Sequence, residues 1–382
     1  MYRRTALATS ARVAALRRHA SSGVWSNFKD RSPSLQIQDA ELKKGVLNKI
    51  DPNVGPASLP TYQRKLAYHS PIDIDETFAM AYEILEKESE AAYKVIKSLQ
   101  EQVETKLQQG EEVGLLEKEL ESRLAAAEET NPEVMYNVEF TNPDHLDMSQ
   151  PVYRKLLREK WQDYSLLVTM QRLEQLHVIP DTLPTLDPKA EVKVKFTHNA
   201  DPEFNQWVVP GSFLPAFAAS KPPTIRIQEF DKVEGDASLY SVLLVNPDTP
   251  DLARNSFSTT LHYGLHNVPL NNVDNTIDVA KLLKIGPKIT FQEFLPLTPE
   301  KNAPAQRACL WVFRQRRKIG PIENSATFFD IRKFAEENEL TAVGAHVWRQ
   351  KFDRSVAKVR EEYGLGKATV FHRVRGLAPL AA

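Results

Sequence analysis

The sequence has a single cysteine, Cys309, among 382 residues, which excludes an internal disulfide and a cysteine-based metal site. It has no apolar run of about 18 residues, and its mean hydropathy of -0.41 argues against a membrane span. Metalloprotease, cysteine-pair, Walker and dinucleotide motifs are also absent, so metal, NTP and NAD chemistry have no support and no cofactor is expected. Cys309 lies in an apolar run, which favours a small buried side chain over a reactive thiol.

Charges of opposite sign are segregated along the chain, although the net charge is only -1. Residues 74–129 are rich in glutamate, whereas the first 29 residues contain no acid. Basic residues gather again in the last third of the chain, and this asymmetry predicts an anionic partner such as RNA. The candidates for RNA contact are Arg314, Arg316, Arg317, Lys318, Lys358, Arg360, Lys367, Arg373 and Arg375.

The N-terminal part of the chain divides into two segments of different composition. Residues 1–22 combine Arg, Ala and Ser with no acid, which is typical of a mitochondrial transit peptide; a disordered basic arm is the alternative. Residues 23–72 contain five prolines and no sustained periodicity. They are predicted to be an extended segment that orders only against a partner, or a flexible linker.

Residues 73–130 carry the clearest helical pattern. Apolar residues recur at helical spacing from Phe78 to Leu107 and again from Val113 to Ala127, and Gly110 separates the two stretches. Asp73 or Asp75 could cap the first helix. The pattern predicts a hairpin or a long broken rod, whose apolar stripe packs on the rest of this chain or on an external partner.

Residues 131–188 are predicted to be a proline-broken linker followed by a helix. Pro151 is placed at the first turn of that helix, which runs to about His177. The apolar side of the helix is predicted from Leu156, Trp161, Tyr164, Leu167, Met170 and Leu173.

Residues 189–363 are predicted to form an antiparallel β-sandwich of class α+β. Short apolar or alternating runs bounded by turn residues predict strands at 191–196, 223–230, 240–245, 261–268, 290–295, 308–313 and 345–352. Helices are predicted at 325–340 and 354–364. Residues 364–382 form a basic tail, in which 367–375 is either a short strand or extended chain.

An acid, a histidine and an arginine occur at the ends of neighbouring predicted strands. Pro247 and Pro250 bracket Asp248, so its strand should end there with the carboxylate pointing outward. His262 lies on the next strand and Arg307 begins the third, so the three could share one small pocket. They could form an acid–base and oxyanion set, but a buried polar cluster whose members satisfy one another is favoured, and no catalysis is expected.

These motifs resemble the phosphatidylethanolamine-binding protein family, whose pattern is D-P-D-x-P, then H-H, then P-P and G-x-x-H-R-Y. The resemblance covers roughly residues 189–363, including G-S-F-L-P from Gly211 and the closing helix and strand at 329–353. It implies the β-sandwich of that family, preceded here by long helical and extended segments. It also implies a pocket that holds a phosphate group. The helix after Pro151 and the I-P-D-T-L-P sequence that follows it are similar to the segment before the fold in the family's mitochondrial large-subunit ribosomal member.

The chain departs from the family pattern at several pocket positions. Asn246 replaces an acid, while Leu261 and Gln306 replace histidines, and residues 301–304 replace a glycine-rich loop. The resemblance therefore implies a vestigial ligand pocket, made by Asn246, Asp248, His262, Gln306 and Arg307.

Three functions remain open on the sequence alone. The favoured hypothesis is a structural protein of the mitochondrial large ribosomal subunit, with the large-subunit rRNA and neighbouring ribosomal proteins as partners. The second is a mitochondrial module that binds a lipid head group or a small anion. The third is a signalling inhibitor that docks other proteins, which gives no reason for the transit-like N-terminal composition.

Overall fold

The computed structural model describes residues 32–39, 59, 61–69, 71–110, 112–233, 238–322 and 326–372. The predicted transit peptide lies outside these residues, as do Arg373 and Arg375. The chain divides into two compact units, unit 1 (1–159) and unit 2 (160–382).

The described part of unit 1 is helical. Its helices, in chain order, are α1 (Tyr62–Leu66), α2 (Ile74–Gln109), α3 (Gly114–Glu128), α4 (Pro132–Phe140) and α5 (Pro151–Lys160), with 3-10 turns at Pro33–Leu35 and Pro143–His145.

Helices α2 and α3 pack against each other as a hairpin. Gly110, at φ 77°, ends α2 in the left-handed conformation that glycine adopts at little cost. The apolar stripe of α2 therefore finds its partner within the chain over its C-terminal half, whereas Phe78 in the first turns stays 42% exposed. The predicted cap by Asp73 is wrong, because its side chain makes no capping hydrogen bond. The buried side chains between the helices are Tyr93, Ile96, Leu99, Leu120, Leu124 and Ala127.

Residues 32–39 contradict the prediction that 23–72 order only against a partner. Leu35 and Ile37 are buried, and the Tyr153 hydroxyl donates to a backbone carbonyl of this segment at 2.9 Å. Two buried side chains give too short a signal for periodicity to detect.

The predicted linker at 131–150 is wrong in part, because it contains α4. The Asn131 side chain caps this helix by accepting a backbone N–H at 3.0 Å, and Pro132 occupies the first helical position. Buried Glu128 accepts from the Asn131 amide and the Tyr93 hydroxyl, each at 2.7 Å. The proline here begins a helix instead of breaking one.

In unit 2, the helix predicted to run to His177 contains a π turn at Trp161–Ser165. Trp161 and Leu173 are buried as expected, but Tyr164 and Leu167 are exposed, so the predicted apolar side is wrong at these two positions. The helices of this unit are α6 (Leu166–Gln175), α7 (Val178–Asp181), α8 (Val279–Ile289), α9 (Ile331–Glu337) and α10 (Val356–Glu362).

Two antiparallel sheets form the centre of unit 2, which confirms the α+β class. The smaller sheet has the order β1-β2-β5, and the larger has the order β6-β4-β3-β7-β8. The strands are β1 (Ala190–Lys195), β2 (Thr224–Glu229), β3 (Ser238–Asp251), β4 (Ser256–Leu270), β5 (Thr276–Ile277), β6 (Thr290–Gln292), β7 (Gln306–Arg314) and β8 (Thr341–Gln350).

Both faces of the larger sheet are covered by apolar clusters. Val242 and Leu244 of β3 pack in the cluster shared with the smaller sheet, while Leu243 and Val245 pack on the opposite face with α6 and α9. Alternate residues of one strand thus enter different cores, and this explains its unbroken apolar run. Among the helices of the described ranges, none has the length and apolar content to cross a bilayer.

Candidate functional site

The candidate side chains come from three adjacent strands. Val245 of β3 is paired with Leu261 of β4 and with Cys309 of β7, so the positions around Asp248, His262 and Arg307 lie toward one end of the sheet.

β3 does not end at Asp248 as predicted, but continues to Asp251 through a bulge. The register against β4 shifts between Asn246 and Thr249, and the Asn246 carboxamide oxygen accepts the Asp248 backbone N–H at 2.9 Å. A bulge accommodates Pro247 because residues in it leave the regular hydrogen-bond ladder.

Asp248 and Arg307 form a two-pronged ion pair. The Arg307 Nε donates to Asp248 Oδ2 at 2.8 Å, and Nη2 donates to Oδ1 at 2.6 Å. The backbone N–H of Arg307 also donates to Oδ2 at 2.8 Å. This parallel geometry gives the strongest arginine–carboxylate contacts.

A second carboxylate, Asp181, completes the surroundings of Arg307. The Nη1 of Arg307 donates to Asp181 Oδ2 at 2.8 Å and to the Leu176 carbonyl oxygen at 2.6 Å. Burial lowers the pKa of Arg307, but its bonds to Asp248 and Asp181 outweigh that effect and the net pKa is raised. Every nitrogen of this guanidinium therefore already donates to a group of the protein.

Asn246 and Gln306 bond to each other. The Asn246 amide donates to Gln306 Oε1 at 3.1 Å, and the Gln306 amide donates to Glu300 Oε2 at 2.9 Å. Both amides are buried. The residues that replace the family's acid and histidine thus satisfy one another.

His262 makes no hydrogen bond with Asp248 or Arg307. Its Nδ1 lies 2.8 Å from the Leu295 carbonyl oxygen, and because a carbonyl only accepts, Nδ1 carries the proton. Burial lowers the pKa of His262 to about 4, so the ring is neutral at pH 7. Its Nε2 is a buried acceptor without a hydrogen-bond partner in the structure.

The arrangement offers little to a reacting molecule. A general base needs a free proton acceptor near its substrate, but the Asp248 carboxylate is tied to Arg307. Cys309 is buried and burial raises the pKa of its thiol, so it is not a nucleophile at pH 7. Within the described ranges, no cluster of metal-ligating side chains occurs.

The basic residues predicted to contact RNA differ in whether their side chains already bond to groups of the protein. Arg314 is paired with the buried carboxylate of Glu229, and Arg360 donates to the Leu365 and Gly366 carbonyl oxygens. Exposed charges remain at Arg316, Arg317, Lys318, Lys358 and Lys367, although Arg317 lies 3.2 Å from Glu339.

An open cavity of about 580 Å³ adjoins the Arg316–Lys318 loop. Lys318, Lys288 and His266 line it, and burial together with the charge of Lys318 lowers the pKa of His266. The sequence did not predict Lys288 at this cavity or Asp181 at Arg307, because each comes from a segment far from the others in the chain. Of the two, only Asp181 lies in a recognisable motif, the I-P-D-T-L-P sequence after the helix.

Comparisons with known proteins agree with the fold. Residues 204–348 match the family model described as phosphatidylethanolamine-binding protein. The large ribosomal subunit protein mL38 of Schizosaccharomyces pombe is 29% identical over 273 residues, which cover 69% of this chain and 82% of that protein.

Solved structures with a similar arrangement include the carboxypeptidase Y inhibitor complexed with its cognate proteinase, at a TM-score of 0.38 and 15% identity. That match covers 48% of this chain and 95% of the other. A phosphatidylethanolamine-binding protein from Plasmodium vivax matches with a TM-score of 0.35 and 14% identity, over 48% of this chain and 98% of the other.

Proposed function

We propose that this chain is a member of the phosphatidylethanolamine-binding protein family and a non-catalytic structural component of the mitochondrial large ribosomal subunit. The main support is the extent of the likeness to large ribosomal subunit protein mL38. That likeness runs over 273 residues, whereas the family model matches only residues 204–348. It therefore extends into segments outside the family domain, and we propose that those segments contact neighbouring ribosomal proteins.

In this proposal the ancestral ligand pocket has lost its function. A phosphate group needs free hydrogen-bond donors or cations. The Arg307 guanidinium is occupied by two carboxylates, and neutral His262 donates to Leu295 while its other nitrogen can only accept. The lone pair on that nitrogen would repel an anion.

The rRNA contact is proposed for the exposed Arg316–Lys318 loop and the open cavity beside it. Lysine and arginine provide the sequence-independent part of affinity for a phosphate backbone. Lys288 adds a further cation to the same cavity. Arg314 and Arg360 are not part of this surface, because both are bonded within the protein.

Sucrose-gradient sedimentation of a mitochondrial extract tests the assembly. The tagged full chain should migrate with the large ribosomal subunit. A protein found entirely in the light fractions would overturn the proposal.

The RNA contact is tested by the salt dependence of binding to large-subunit rRNA. Each phosphate contact contributes about 0.7 to 0.9 to the slope of log affinity against log salt. Changing Arg316, Arg317 and Lys318 to alanine should lower the slope by about 2. The charge-preserving variant Arg316→Lys, Arg317→Lys, Lys318→Arg should keep it, and an unchanged slope in the alanine variant would exclude this loop.

A mitochondrial module for a lipid head group or small anion is the second candidate. The unpartnered Nε2 of His262 is the observation that favours it, because this acceptor could bond to an ammonium or hydroxyl donor of a lipid head group. Calorimetric titration with inorganic phosphate and with phosphoethanolamine should show no saturable binding. Binding that His262→Gln abolishes would support this candidate in place of the degenerate pocket.

A further inference from the structure

A second cavity of unit 2 lies apart from the strand ends described above. It has a volume of about 310 Å³, and Asp248, His262 and Arg307 do not line it. The π turn, α6, β1, residues 207–210 and β8 provide its walls. Its lining is mostly apolar and includes two indole rings, those of Trp161 and Trp207. Cavities with such a lining and a few polar atoms are the usual form of small-molecule sites.

The π turn at Trp161–Ser165 forms part of this wall. Single π turns inside helices are rare and occur frequently at functional sites. Here the turn contributes Trp161, Tyr164 and Ser165 to the cavity.

One buried polar side chain of the lining has an unpartnered atom. The Nε2 of His346 lies 2.9 Å from the Val208 carbonyl oxygen, so Nε2 must donate and Nδ1 carries a free lone pair. His346 is only 2% exposed, and its Nδ1 has no partner in the structure. Buried polar atoms nearly always have a hydrogen-bond partner. Burial also lowers the pKa of His346 to about 4, so the ring is neutral at pH 7, and the bond to Val208 fixes which nitrogen carries the proton.

We propose that this cavity binds one small aromatic molecule with a single N–H or O–H donor, directed at Nδ1 of His346. A cavity of about 150 Å³ accommodates benzene, so a volume near 310 Å³ suits a bicyclic ring. The indoles of Trp161 and Trp207 offer edges and faces to an aromatic ligand. A ligand with only hydrogen-bond acceptors would place an acceptor against the Nδ1 lone pair of His346, and the two would repel each other. This site is independent of the proposed ribosomal role.

Indole and benzofuran are matched probes for this site, since they have the same ring size and only indole carries an N–H. Calorimetric titration of the full chain at pH 7 should show one indole site. Indole should bind about fivefold more tightly than benzofuran, the ratio expected for one net hydrogen bond. Absence of saturable indole binding, or equal affinity for the two probes, would overturn the proposal.

Two neighbouring residues of α6 locate the site. Val168 lines the cavity, whereas Leu167 does not line it and is 62% exposed. Val168→Trp should fill the space and reduce indole affinity at least tenfold, while Leu167→Trp should leave it unchanged. Circular dichroism confirms that each variant is folded. Unchanged binding in Val168→Trp, or equal loss in both folded variants, would place the ligand elsewhere.

Discussion

Replacement of Arg307 by methionine tests whether Arg307, Asp248 and Asp181 form a structural clamp, that is, a set of ion pairs that stabilises unit 2. The change removes four side-chain hydrogen bonds and leaves Asp248 and Asp181 without their shared cation. Methionine keeps the apolar stem, so the loss reports the charge and its bonds.

The expected cost follows from the burial of the pair. Removing one partner of a buried ion pair costs about 3–5 kcal/mol, and an exposed pair is worth about 0–1 kcal/mol. The side chains of Arg307 and Asp248 are 16% and 18% exposed, so we expect Arg307→Met to cost about 2–3 kcal/mol. Asp248→Asn should cost about 1–2 kcal/mol, because Asp181 and Leu176 still hold the guanidinium.

Urea unfolding followed by tryptophan fluorescence measures these costs. Four of the five tryptophans lie in unit 2, so the signal reports that unit. The double variant should show a coupling of about 1–2 kcal/mol between Arg307 and Asp248. The matched control is Arg317→Met, whose partner Glu339 is 53% exposed, and it should cost about 0–0.5 kcal/mol.

The clamp interpretation fails if Arg307→Met is no more costly than Arg317→Met. It also fails if the Arg307 and Asp248 effects simply add, because contacting partners in one network should be coupled. Saturable phosphate binding by the unaltered protein, lost in Arg307→Met, would show that the guanidinium still serves a ligand.

Three further predictions concern buried groups. His262 and His346 have pKa values of about 4 in the folded protein, whereas histidines of the unfolded chain take up protons below about pH 6.5. The free energy of unfolding should therefore fall as the pH drops from 6.5 to 4, by about 2 kcal/mol per histidine at pH 5. His262→Asn should flatten the curve of urea midpoint against pH. Cys309 is buried with a raised thiol pKa, so a disulfide reagent should modify it only after unfolding in guanidinium; rapid reaction of the folded protein would contradict this. Gly344→Ala would place a Cβ 2.6 Å from a β1 side-chain carbon and 2.8 Å from a backbone oxygen, so it should lower the free energy of unfolding by about 3 kcal/mol in a thermal melt. The control Gly320→Ala has open space around its Cβ and should lower this free energy little.

Strands and the long hairpin helices could be predicted because their signals are local. β3 has a continuous apolar run, and α2 has a stripe that repeats over many turns. Helix α8 was missed because Gly286 and Pro287 stand near its end, where they interrupt an otherwise amphipathic pattern. α4 was missed for a related reason, since Pro132 begins it but was interpreted as a break.

The candidate site could be predicted only in part. The proximity of Asp248 and Arg307 follows from adjacent strands, but their hydrogen bonds depend on the bulge after Asn246, which has no simple sequence signal. The contact with Asp181 joins residues 126 positions apart. No local pattern carries information on such a pairing, so it appears only when the chain is folded.

Asn246, Gln306 and the Arg307 ion pairs together determine the charge at the strand ends, and this charge disfavours an anion. Asn246 and Gln306 are neutral and bond to each other, so they bring no charge to the strand ends. Arg307 is held by two carboxylates, Asp181 and Asp248, so the cluster around this guanidinium carries more negative than positive charge. An entering phosphate would have to displace a carboxylate from Arg307 before it could bond to the guanidinium. Binding of an anion would therefore cost this unit part of the stability that the ion pair provides.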